Sequence, residues 1–368
     1  MSTPEAVAIV GGGVVGCFLA YRLALEGCPV TLIERQHVGS GASGASAGNV
    51  QPGDVETALA AESLELFRRF VPRIKEESGI DPLDQEVQYV YAALDAPGVA
   101  QTQQFVTALQ RHGLRVEWID GKAVRELEPH FAPNVLGGAL HQDCMQLDGY
   151  RFVSALSQAA QRHGAQLRQA EVIGLQRAGA RVTAVRLQDG TTVPCDTLVL
   201  TMGAWSGVAM AEWFGGSLPI APHALQKLHV RSKGRALHCA VRWDEVNIVT
   251  RRDNLVHVGS KHDSTGFAAQ PTSEGRHWLL ERLNTILPGF EAEVVEARAG
   301  VAIATPEKMP LLGPLPEHEG VYIAAPGTNG FLLSAVLAHM LTELLVHGRE
   351  HERLHTLLPE QAQRRASA

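Results

Sequence analysis

The chain has 368 residues, 45% of them hydrophobic and 19% charged, with a formal net charge of −7 spread along its length. Such a composition supports a full globular core and excludes a disordered chain. There is no cationic block to attract a nucleic acid, and no apolar run approaches the ~20 residues that span a bilayer.

The five cysteines (Cys17, Cys28, Cys144, Cys195 and Cys239) are widely spaced, odd in number and contain no CxxC pair. That pattern argues against a disulfide framework or a zinc site, and no HxH or HExxH spacing among the 16 histidines points to another metal. The expected setting is reducing and cytoplasmic.

In chain order, Val7–Val10 reads as a buried strand that stops at Gly11-Gly12-Gly13 rather than as a secretion signal. Residues 14–26 show helical spacing of Val15, Leu19 and Leu23, Gly27 stops the helix, and Val30–Glu34 is a second strand. This opening implies a parallel sheet and an α/β fold. A loop of small residues covers 39–48. Helices are predicted at 56–78 and 99–112, with a strand at 86–94 between them. A helix at 150–163 precedes strands at 166–176, 181–188 and 193–201, and the segments 225–232, 239–250 and 255–261 alternate as antiparallel strands do. A strand at 321–324, a turn of small residues and a helix at 331–346 close the pattern, and the polar tail is expected to fray.

Gly11, Gly13 and Gly16 form a G-x-G-x-x-G between strand and helix. Gly11 permits the turn, Gly13 lets the backbone approach a pyrophosphate, and Gly16 lets helix and strand pack closely. The helix N-terminus, at Val14 and Val15, offers N–H groups and partial positive charge to phosphates. Glu34 ends the second strand within reach of a ribose hydroxyl pair. Arg35 is placed either to stack on adenine or to face solvent. At the far end, Ala325-Pro326-Gly327-Thr328-Asn329-Gly330 precedes an apolar helix whose positive end suits the N1–C2 edge of a flavin. An ordinary strand-to-helix turn is the alternative.

These residues resemble the D-amino-acid oxidase and glycine oxidase (DAO) family of flavoenzymes over nearly the whole chain. The landmarks run in order: Gly11–Gly16, Gly41–Asn49, Leu127-Glu128-Pro129, Val199–Ser206, Thr305–Gly313 and Gly327–Gly330. The resemblance implies a glutathione-reductase-type FAD domain of Rossmann character built from 1–83, 140–218 and 299–360. It also implies an inserted α+β substrate domain (84–139 and 219–298) on a mixed, largely antiparallel sheet, with 361–368 as a frayed tail. By the same resemblance, Ala42, Ser43, Ala47, Gly48 and Asn49 meet the pyrophosphate and flavin, and Val172 meets the adenine. Gly203 and Trp205 pack beside the cofactor, and Gly327, Thr328, Asn329, Gly330, Phe331 and Leu332 cap the pyrimidine edge. With no histidine in the 39–48 loop and no cysteine after Cys239, the FAD is expected to be noncovalent.

The family reaction is hydride transfer from an amine-bearing carbon, or sometimes a hydroxyl-bearing one, to flavin, with oxygen or a carrier as final acceptor. Three positions depart from the family's amino-acid oxidases. Ala302 stands where a carboxylate-binding arginine is common, Thr328 where a second can occur, and Asn247 where a tyrosine is frequent. His257, Gly259 and Lys261 alternate, so their side chains are predicted to share one face, either toward the flavin and substrate or on the outer side of the sheet. His262 is the other candidate to enter the cavity, Asn49 and Gln51 border it, and Arg251, Arg252 and Lys308 are read mainly as solvated. The expected partner is a small molecule: an amine or amino-acid-like compound, or alternatively a hydroxyl compound as in the related glycerol-3-phosphate dehydrogenases. A flavin-binding subunit of a larger oxidase complex is the third reading.

Overall fold

A computed structural model describes residues 4–53, 57–263 and 265–367. The chain opens with β1 (Val7–Val10), α1 (Val14–Leu25), β2 (Val30–Glu34), α2 (Ala42–Ala45), β3 (Asn49–Val50), α3 (Thr57–Ser78) and β4 (Gln85–Ala93). It continues through α4 (Ala96–Arg111), β5 (Val116–Asp120), α5 (Gly121–Leu127), β6 (Gly137–Gln146) and α6 (Gly149–Arg162). Then come β7 (Gln166–Gln169), β8 (Val172–Ala178), β9 (Arg181–Leu187), β10 (Thr192–Pro194), β11 (Thr197–Leu200) and α7 (Trp205–Phe214). The next stretch is β12 (Ala221–Ser232), β13 (Ala240–Trp243), β14 (Val246–Thr250), β15 (Leu255–Asp263), α8 (Ser273–Ile286) and β16 (Ala292–Ala304). A 3₁₀ turn (Pro306–Lys308) leads to β17 (Leu311–Pro314), β18 (Val321–Ala325), α9 (Gly330–His347), α10 (Leu354–Leu357) and α11 (Pro359–Ser367).

Among the described residues the strands form three sheets. The first has six strands in the order β17-β18-β11-β1-β2-β7, parallel except for β17. The second is the small antiparallel sheet β10-β9-β8. The third has nine strands in the order β16-β12-β15-β14-β13-β4-β6-β3, with β5 on β6; only β13 and β4 run parallel, so it is mixed and largely antiparallel. The boundaries expected at 139/140 and 298/299 both cut through strands of this sheet, β6 and β16. The sequence reading missed both strands, along with α7 and α8.

Between the first sheet and solvent lies an apolar layer of α1, α3, α6 and α9. Phe67 is fully buried there, with ring centroids 5.9 Å from Phe18, 5.5 Å from Phe152 and 6.1 Å from Phe331. Among the described residues α9 is the one helix long and apolar enough to cross a bilayer, but 72% of that stretch is buried inside the protein. The predicted strands at 166–176 and 193–201 each break in two because the halves belong to different sheets. The tail expected to fray is instead helix α11, anchored by buried Pro359 and Ala362 against β17; apolar contact outweighs its polar composition. Residues 56 and 368, at the ends of two of the sequence predictions, lie outside the described residues.

Phe67→Ala is expected to lower unfolding stability by about 3–5 kcal/mol, the range for removing a buried aromatic ring, as measured by denaturant titration. A loss below about 1 kcal/mol would contradict a tightly packed helical layer.

Candidate active site

β1, β11 and β18 lie side by side and parallel, so the turns that follow them open on one edge of the first sheet. That edge is where open α/β sheets bind ligands. At the β1–α1 turn Gly11 has φ +114°, and a Cβ there would sit 2.6 Å from the Thr201 carbonyl oxygen. At Gly16 it would sit 2.0 Å from the Gly11 carbonyl oxygen, so strand, turn and helix meet only without side chains. The Val14 N–H donates to Ser43 Oγ (2.9 Å), which brings the 39–48 loop over the helix end. The Glu34 carboxylate accepts from the N–H groups of Gly12 (2.8 Å) and Gln36 (3.0 Å).

At the other end of the cleft Gly327 has φ +67°, and a Cβ there would lie 2.7 Å from the Lys308 carbonyl oxygen. No side chain caps α9: Asn329 turns its amide toward the Gln51 carbonyl oxygen (3.2 Å), leaving the first-turn N–H groups to the cleft. Between these ends runs one continuous cavity of about 880 Å³, toward the upper end of the ~300–1,000 Å³ of small-molecule sites. Asn49 Oδ1, Asn247 Oδ1, His257 Nδ1 and Thr305 Oγ1 belong to residues that line it and are buried without a hydrogen-bond partner among the described residues. Orphaned polar atoms beside two glycine-opened helix ends fit a long, polar-edged dinucleotide.

The cavity is lined by Gly11, Gly13, Val14, Val15, Glu34, Arg35, Ala42, Ser43, Ala47, Asn49, Val172, Gly203, Trp205, Gly327, Thr328, Asn329, Gly330 and Phe331. The Arg35 guanidinium lies 4.8 Å from the Trp205 ring centroid, so it stacks on protein at the cavity wall. Gly16 packs behind the turn, Gly48 (φ +73°) abuts the Leu147 carbonyl, and fully buried Leu332 accepts a hydrogen bond from Ser63 Oγ. Those three shape the site from behind rather than line it.

At the substrate end Gln51, Asn247, His257, His262 and Lys308 line the cavity, and Lys261 does not. Ser260 is an extra residue in β15: Gly259 pairs with Lys227, whereas Lys261 pairs with the adjacent Gln226. This bulge reverses the alternation. His262 therefore joins the face of His257, and Lys261 turns away to pair with Asp263 (2.5 Å). Lys261 is thus corrected from a site residue to a structural ion pair. Arg251 is engaged by Asp148 (2.7 Å) and Asp253 (2.6 Å), and Arg252 by Asp81 (3.3 Å).

Sequence reading missed Lys227, His223 and Arg242. His223, Leu225 and Lys227 alternate on β12, a period-2 signal that was present but lay partly before the predicted start of that strand. Lys227 is only 6% exposed, and burial pushes its ammonium down to about 7; Arg298 and Arg251 push the same way, while Asp148 and Glu296 oppose. Burial, with Lys227 and His229 nearby, holds His257 well below the usual imidazole range and keeps it neutral.

The glycine-opened turns, the acid at the end of β2 and the two helix ends define a dinucleotide-dependent protein with a substrate chamber at one end of its cofactor cleft. The family model described as DAO, FAD dependent oxidoreductase, matches residues 6–344. The chain belongs to that family and is an FAD-dependent oxidoreductase. It is 29% identical over 357 residues to a glycine oxidase of Pseudomonas aeruginosa, covering 94% of this chain and 96% of that one. A hydrogen cyanide synthase subunit, HcnC, from the same organism is 24% identical over 292 residues, covering 78% of this chain and 70% of that protein. The crystal structure of a Bacillus cereus glycine oxidase superposes with a TM-score of 0.88 at 26% identity, covering 96% of this chain and 98% of that one.

An unfolded chain keeps the Lys227 proton up to the ordinary lysine range near ~10.4, whereas the folded protein releases it through about pH 7. Between those limits the unfolded state binds more protons, so stability rises with pH on account of this residue. Lys227→Met is expected to raise stability at about pH 7 and to flatten the rise toward about pH 9, measured by chemical denaturation at several pH values. An unaltered slope would show that the lysine is not desolvated.

Proposed function

We propose that the protein oxidises an amine that carries a carboxylate, an amino acid or a close relative of one, with FAD held noncovalently across the cleft. The observation that carries this reading is the junction of the cofactor cleft with a chamber lined by Arg242, Lys308, Asn247, His257 and His262. The chain's likeness to glycine oxidases supports the same substrate class.

When bound, FAD supplies the two-electron acceptor and passes the electrons to oxygen or a carrier. The chain's own residues position the reaction. The Gly11–Gly16 turn, Ser43 and the start of α1 would hold the diphosphate, and Glu34 would take the ribose hydroxyls. Val172 would meet the adenine, with Arg35 on Trp205 at the cavity wall. Ala42, Ala47, Asn49 and Gly203 would contact the ring system, and the N–H groups and helix dipole from Gly327 to Phe331 would stabilise negative charge on it. Asn247, Thr328 and His262 border the substrate. Neutral His257 contributes a polar atom without a fixed charge, and the enclosing sheet limits water.

Noncovalent attachment is supported by the five cysteines, all buried and none lining the cavity. The same free thiols support a cytoplasmic setting. Acid or heat denaturation is therefore expected to release all flavin into the supernatant, and flavin retained on the precipitated polypeptide would overturn this. Glu34→Ala is expected to weaken FAD binding roughly tenfold to a hundredfold, the range of a lost charge-assisted hydrogen bond, read by titrating apoprotein with FAD.

Anaerobic mixing with panels of amino acids, simple amines and polyols tests the substrate class. Bleaching of the visible flavin band by carboxylate-bearing amines is expected, and bleaching by polyols alone would defeat the reading. The likeness to a protein named as a synthase subunit favours a second reading, in which bleaching begins only once a partner subunit is added.

A further inference from the structure

The chamber holds two histidines in direct contact. His223 on β12 and His262 on β15 hydrogen-bond directly, ring nitrogen to ring nitrogen, with centroids 4.7 Å apart. Both line the cavity. One ring donates and the other accepts, so one of the pair's two N–H groups lies between them, and one further proton makes the pair a monocation with that bond intact.

Its surroundings decide when that proton binds. On the adjoining strand β16, the residue paired with His223 is Ala302, whose small side chain leaves space beside the imidazoles. Arg242 from β13 and Lys308 from the 306–308 turn face His262, as does Glu245 from the turn before β14. Asp244 of the same turn lines the cavity but engages Arg282 (3.6 Å). Lys261 and Asp263, flanking His262 on its own strand, are paired with each other. Partial withdrawal from water, His223, Lys308 and Arg242 all lower the proton affinity of His262, with Glu245 opposing. An anion entering this space offsets the repulsion that lowers the proton affinity of His262. The structure offers no fixed guanidinium at position 302 to do the same work.

We propose that the His223–His262 pair, with Arg242 and Lys308, is the carboxylate-recognition subsite, and that it takes up a proton from solvent when a carboxylate binds. The inference rests on the reading that the substrate bears a carboxylate, and it deepens that reading by making recognition pH-dependent. No bond to the substrate forms or breaks: a solvent proton moves to the free imidazole nitrogen, and the imidazolium pairs with the anion. Affinity for an anion accordingly falls as pH rises through the imidazole range.

The test uses the FAD-loaded protein with propionate, and with propionamide as the neutral control, followed by flavin spectral perturbation and by calorimetry in two buffers of different ionisation heat. Propionate is expected to bind roughly tenfold more tightly at about pH 6 than at about pH 8 with net proton uptake, and propionamide to show neither effect. In His223→Asn/His262→Asn the uptake is expected to vanish, and adding Ala302→Arg is expected to restore pH-independent propionate binding. Propionate binding without buffer dependence in the unaltered protein overturns the proposal with no variant needed, as does uptake that survives the double substitution. Failure of the broader function reads differently: uptake stays histidine-dependent while no amine bleaches the flavin.

Discussion

The structure depends on one constraint: three parallel strands, distant in sequence, must end side by side so that their exit turns share a single cleft. β1, β11 and β18 come from the beginning, middle and end of the chain, yet they are consecutive in the sheet. Their turns supply the glycine-opened α1 end, the Thr201–Ala204 wall and the Pro326–Asn329 cap. What fixes this convergence is apolar contact. α1 packs on both α6 and α9, and their aromatic and aliphatic side chains form one buried apolar layer. Both helix ends are then held facing one guest, so backbone N–H groups do work that free helices would lose to solvent.

The nine-stranded sheet turns that cofactor cleft into a reaction chamber. Its inner face places Lys227 and His257 where water is scarce, and burial depresses the proton affinity of both. Charge there is costly, so His257 stays neutral and Lys227 gives up its proton through about pH 7, whereas the basic side chains of Arg242 and Lys308 line the substrate end. A chamber graded in this way, apolar and neutral toward one side and cationic toward the other, suits a guest with one charged end and one reacting carbon.

A single extra residue determines which polar groups face inward. Without the bulge at Ser260, strict alternation would have put Lys261 beside His257 and turned His262 outward. With it, a lysine is spent on Asp263 and an imidazole enters the cavity. The same bulge places Gly259 opposite Lys227, where a Cβ would lie 2.8 Å from the lysine's own Cβ. The glycine thus gives the buried lysine its room.

The sequence by itself determined the cofactor end. The glycine turn, Glu34, the small-residue loop and the C-terminal cap are local patterns whose geometry follows from φ, helix ends and close backbone approach, so they were legible without the fold. The mixed, largely antiparallel sheet of the second part was also legible, as alternation and by family likeness. Only the tertiary structure decided the substrate end. Lys261 left the site because of a bulge that strand periodicity does not announce. Lys227, His223 and Arg242 entered it because strands far apart in sequence were brought together. α11 is ordered by burial against a strand some 50 residues earlier, which no local propensity encodes. Local chemistry is written in neighbouring residues, whereas the inner face of a sheet is set by register, and register depends on partners that the chain meets only on folding.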